Sequence, residues 1–79
     1  MASRKINSIP YQKLVRIFEL DGFVFKRQKG DPLILIKPAV KRPVVIKTSP
    51  RQVPVTHILT NLRTAGMSRE RYFELLDQV

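Results

Sequence analysis

Gly22-Phe23-Val24-Phe25-Lys26-Arg27-Gln28-Lys29-Gly30-Asp31-Pro32-Leu33-Ile34-Leu35 is the stretch whose reading decides the fold. Gly22 closes a preceding helix, because glycine enters the positive-φ conformation that ends one. Phe23–Gln28 reads as a strand, with Phe23 and Phe25 facing one way and Val24 and Lys26 the other. Lys29-Gly30-Asp31-Pro32 supplies a turn, and Leu33–Lys37 a second strand. Leu33, Ile34, Leu35 and Ile36 are apolar on both faces, unlike a strand with one wet side. One face is expected to pack on helices and the other to stay open as an apolar patch or a partner surface.

Upstream, Tyr11, Leu14, Val15 and Phe18 recur at helical spacing, with Ser8 as the expected cap and Pro10 in the first turn. Downstream, the loop Pro38–Arg42 leads to a third strand, Pro43–Lys47, and Thr48–Val53 reads as a loop. Pro54 opens a second helix with a stripe of Val55, Ile58, Leu59 and Leu62, which Gly66 stops. Ser68 caps a last short helix through Tyr72, Leu75 and Leu76. The order predicts one α+β domain over residues 1–79: a three-stranded antiparallel sheet with helices on one face and a short extra C-terminal helix.

The chain has 79 residues and no cysteine, so disulfides, thiolate metal sites and cysteine nucleophiles are excluded. A single histidine, His57, excludes a histidine-cluster zinc site, and neither metal nor cofactor is expected. No leader or membrane span is evident, which predicts a soluble cytoplasmic domain. Fifteen Lys and Arg against six Asp and Glu give a net charge of +9. The signs are segregated: between Gly22 and Arg69, Asp31 is the only acid against ten bases. A basic middle with mixed-charge flanks fits a polyanion, above all nucleic acid, although an acidic protein would feel the same field.

Five pieces in order, Gly22-Phe23, Lys29-Gly30-Asp31, Lys37-Pro38, Arg42-Pro43-Val44-Val45-Ile46 and Leu62-Arg63-Thr64-Ala65-Gly66, carry a resemblance. From about Ile9 to Leu76 the chain resembles the HicA toxins, RNA-cutting members of toxin–antitoxin pairs. The resemblance implies a double-stranded-RNA-binding-domain-like α-β-β-β-α fold, mRNA as substrate and a HicB-like antitoxin as partner. Such a fold reads RNA by shape and backbone, which needs a cationic face more than a base reader. Lys26, Arg27 and Lys29, with Lys47 and Arg51, are the candidates for that face; for each one singly, a solvated surface charge is the alternative.

In the family, the second residue after the turn glycine is the catalytic histidine, and here it is Pro32. Proline has no titratable group and no N–H donor, so family endoribonuclease activity is expected to be lost or severely weakened. Gly30 and Asp31 form the turn, and Asp31 is expected to cap it. His57, on a polar helix face with Asn61 and Thr64, is a surface histidine more readily than a replacement catalyst. A non-catalytic RNA-binding or interaction module on the same fold is the alternative function, and a DNA-binding protein is a third.

Overall fold

The computed structural model describes residues 4–27 and 29–79, with Arg27 described by its backbone. Chain order gives β1 (Ile9–Pro10), α1 (Tyr11–Leu20), β2 (Val24–Arg27), β3 (Leu33–Lys37), β4 (Val40–Ile46), β5 (Gln52–Val53), α2 (Val55–Ala65) and α3 (Arg69–Leu76). The fold is α+β. A three-stranded antiparallel sheet, β2-β3-β4, is joined by a two-stranded pair, β1-β5. The order is therefore not the clean α-β-β-β-α expected. Thr48–Val53 is not loop throughout, because Gln52 and Val53 pair with Pro10 and Ile9.

α1 begins differently from the sequence expectation. Ser8 makes no cap; Pro10 occupies that position without a side-chain bond, and the Tyr11 N–H donates to the Arg51 carbonyl at 2.9 Å. The β1-β5 pair places that carbonyl, so a distant backbone group satisfies one orphan donor of the helix start. The other end follows the sequence. Gly22 has φ 101°, its N–H donates to Glu19 O at 3.0 Å, and the Phe23 N–H donates to Phe18 O at 3.0 Å. The two phenylalanine rings meet edge to face at 5.4 Å. This pattern satisfies the last carbonyls and turns the chain into β2. Gly66 ends α2 in the same way, with Met67 N–H donating to Leu62 O at 2.9 Å. Ser68 caps α3, its hydroxyl accepting from the Arg71 N–H at 3.1 Å.

β3 spans the residues its sequence predicts, and side chains alternate along it. Leu33 and Leu35 are buried with Val44 and Ile46 of β4. Val24, Ile36 and Val45 are exposed on the other face. β4 starts at Val40, earlier than expected, and runs through Pro43. A register irregularity between Leu35 and Lys37 and an edge position in the sheet accommodate that proline. Lys37, at the end of β3, turns toward the end of α1. Its ammonium bonds Asp21 at 3.4 Å and lies 5.6 Å from the centre of the Phe23 ring. Arg71 of α3 binds the same carboxylate at 3.1 Å, so Asp21 joins α1, the sheet and α3. No helix among the described residues is long and apolar enough to cross a membrane.

α2 is rotated from its expected stripe. Ile58 and Leu62 are buried, but Leu59 is 41% exposed and Asn61 only 6%. Asn61 lies three residues after Ile58 and four before Ala65, so it falls on the inward side of the helix.

Tyr72 is fully buried, and its hydroxyl has no hydrogen-bond partner among the described residues. Burial pushes its phenol above the ordinary tyrosine range. Tyr72→Phe removes an unpaired polar atom and is expected to stabilise the fold by about 1 kcal/mol, read by denaturant unfolding. The raised pKa sets the sign for pH. Its contribution is complete below the unfolded value, about 10, and is lost as pH rises beyond it. The Phe variant should therefore show a shallower loss of stability above pH ~10; an unchanged alkaline limb would assign that loss to other groups.

Candidate nucleic-acid interface

The β2–β3 turn and the segment after β4 are brought together by one hydrogen bond. The Thr48 N–H donates to Asp31 Oδ1 at 2.8 Å. Asp31 thus reaches across to the neighbouring segment instead of closing its own turn. The pairing of Leu33 with Ile46 and of Arg27 with Ile34 sets the same end of the sheet for β2, β3 and β4. Lys26 falls at a β-bulge between Phe25 and Arg27, Lys29 in the turn, and Lys47 immediately after β4. All three are exposed at that one end. The Arg27 side chain lies outside the described residues, as does Gln28, the expected end of the first strand. Arg51 is held by its carbonyl to the start of α1, while its side chain is exposed. Gly30 has φ 91°, and a Cβ added there would meet nothing within 4 Å, so its backbone angle and not crowding requires glycine.

Ion pairing is concentrated elsewhere. Asp21 binds Lys37 and Arg71, Glu74 binds Arg71, and Asp77 binds Arg4. Asp21 and Glu74 raise the pKa of the Arg71 guanidinium through those hydrogen bonds. Among the described residues, Lys26, Lys29, Lys47 and Arg51 form no salt bridge. The turn end therefore carries cations that no acid among the described residues pairs, with Asp31, bonded to the Thr48 amide, as the one carboxylate of the same turn. Pro32 is half-buried beside it and offers no proton donor or acceptor from its side chain. No cluster of three or more His, Asp or Glu occurs among the described residues.

A groove of about 270 Å³ adjoins this end. Pro43, Val45 and Lys47, alternate positions along β4 and just past it, form one wall, with Val53 beside them. His57, Thr60, Asn61 and Thr64 of α2 form the other. His57 thus faces the groove shared with Lys47, while Pro32 is not among the lining residues. Val45 belongs both to this groove and to the open apolar face of the sheet. Asn61 is the residue that sequence reasoning placed on the polar outer face and the fold places inward. Its side chain makes no hydrogen bond among the described residues. Its amide is also absent from the fully buried, unpaired polar atoms, which among the described residues comprise the Tyr72 hydroxyl alone, so it remains open to the groove. The signal for this placement was its spacing from Ile58 and Ala65.

No protein-family model matches this chain, and neither does any curated protein.

Asp31→Ala removes the acceptor for Thr48. Stability is expected to fall by about 1 kcal/mol, the net worth of an exposed or half-exposed hydrogen bond. Faster hydrogen exchange confined to the Thr48 amide and its neighbours is the accompanying sign, and an equally protected amide would mean that another acceptor replaces the carboxylate.

Proposed function

We propose that this chain is an RNA-binding protein of the HicA toxin type whose ribonuclease activity is lost or severely weakened. The observation that carries the reading is the cationic turn end: Lys26, Lys29 and Lys47 at one end of the sheet, without salt-bridge partners among the described residues. Helix α1, the sheet β2-β3-β4 and helix α2 are compatible with a double-stranded-RNA-binding-domain-like frame, to which β1-β5 and α3 are additions. The order of the five sequence pieces supports the family, and Pro32 at the histidine position supports the loss of chemistry. In this reading the protein meets mRNA in the cytoplasm, without metal or cofactor.

Phosphate contacts dominate such binding. Ionic contacts release counterions, so affinity falls linearly with salt on logarithmic axes. Replacing Lys26, Arg27 and Lys29 together by Ala is expected to flatten that slope by up to about three units. A slope identical to that of the unaltered protein would place the RNA footprint elsewhere. Pro32→His tests the lineage separately. The histidine variant is expected to cleave RNA and arrest growth where the Pro32 chain does not, since an imidazole titrates near neutral pH. A folded histidine variant without either effect leaves the non-catalytic RNA-binding module as the better reading, which Pro32 itself favours.

A HicB-like antitoxin is the protein partner in this proposal. Val24, Ile36 and Val45 form an apolar centre on the open face, with exposed Lys41 and Arg42 at one end of β4 and Lys47 at the other. An acidic protein with an apolar centre suits that surface. Because Lys47 belongs to both surfaces, antitoxin and RNA are expected to compete for the Pro32 chain. A ternary complex formed with undiminished affinities would separate the two surfaces.

A further inference from the structure

We propose that the groove between β4 and α2 takes one unpaired nucleobase of a single-stranded RNA, with Asn61 bonding the base edge and Lys47 meeting its phosphate. The inference rests on the RNA-binding reading above and assigns a second mode of contact to it. Asn61 is 6% exposed, lines the groove and makes no hydrogen bond among the described residues. The amide opens on the groove and bonds no protein group among the described residues, so no contact within the fold calls for asparagine at this place. An amide offers a donor and an acceptor side by side, the pattern that matches the edge of a base.

The rest of the groove fits the same occupant. Pro43, Val45 and Val53 give it an apolar wall for the face of a flat ring, as in sites that hold an extruded base. Its volume of about 270 Å³ is at the small end for ligand sites, suited to a base and not to a folded segment of protein. Lys47 lines it, no acid does, and the Asp31–Thr48 bond ties the residue after Lys47 to the cationic turn. A strand whose phosphates follow that turn can therefore place a base beside Asn61. A duplex keeps its bases stacked and has none to offer, so groove binding separates single-stranded from double-stranded RNA.

The test uses the full chain, an eight-nucleotide RNA of mixed sequence and the same RNA annealed to its complement. Backbone amide shifts locate each complex and fluorescence anisotropy gives its affinity. The single strand is expected to shift Thr60, Asn61 and Thr64, whereas the duplex shifts residues of the turn and leaves these three in place. Asn61→Leu should weaken the single strand about tenfold, the worth of a lost hydrogen-bonded edge, and raise the thermal midpoint of the free protein. Thr60→Glu, at an exposed groove position, should also weaken the single strand and guards against a folding defect in the leucine variant. If both RNAs bind but shift the same residues, or if both variants bind the single strand normally, the groove is not a base site and the RNA-binding reading stands. If neither RNA binds, both readings are overturned.

Discussion

The central strand of the sheet is apolar on both faces, and this constrains the rest of the molecule. In a strand with one wet side, a one-residue slip would expose the core set, so the hydrophobic pattern alone fixes register. Leu33, Ile34, Leu35 and Ile36 allow no such discrimination, nor do Val44, Val45 and Ile46 opposite them. Register must come from the ends. At one end, the tight connection between Lys37 and Val40 pairs those two residues. At the other, the Asp31 carboxylate holds the Thr48 amide. Lys37 is further fixed by Asp21 at the end of α1. The polar contacts at the strand ends thus do what hydrophobic alternation does in other sheets.

The same contacts sort the charges. Asp21 is clasped between the sheet and α3, and Asp77 holds Arg4, so ion pairs collect among the helices and termini. Such pairs contribute little each when exposed, and Asp21 gains from two partners and partial burial. Their larger effect is spatial. Acids engaged among the helices cannot screen the cations at the turn end of the sheet, where Lys and Arg outnumber the single carboxylate of Asp31.

Much of this was legible in the sequence, for identifiable reasons. Gly22, Gly66 and Ser68 act through local backbone chemistry, and each ends or starts a helix where its residue type predicts. β3 is bounded by a turn and a proline, and its limits follow. What sequence reasoning missed was decided by distant contacts. Ser8 lost its capping role to the Arg51 carbonyl, and the short β5 strand needs Ile9 and Pro10 to exist. In α2, both Leu59 and Asn61 flank the buried stripe, and hydrophobicity favours leucine for the inward place. Packing against β4 rotates the helix the other way, at the expense of leaving a leucine in water. The cationic positions were visible as residues, but their convergence at one end depends on strand register, which the apolar runs could not specify.

The Arg51 carbonyl has a consequence for how the molecule is built. A ten-residue helix such as α1 is marginal on its own in water. One of its first amides is satisfied by a residue more than half the chain away, and the β1-β5 pair closes the same long loop. Such closure is entropically costly before its contacts form. The first turn of α1 is therefore completed only when the segment beyond β4 is in place. A change in the backbone at Arg51–Val53 is thus felt at the amino end of α1, and the helix start and the β1-β5 pair stand or fall as one unit.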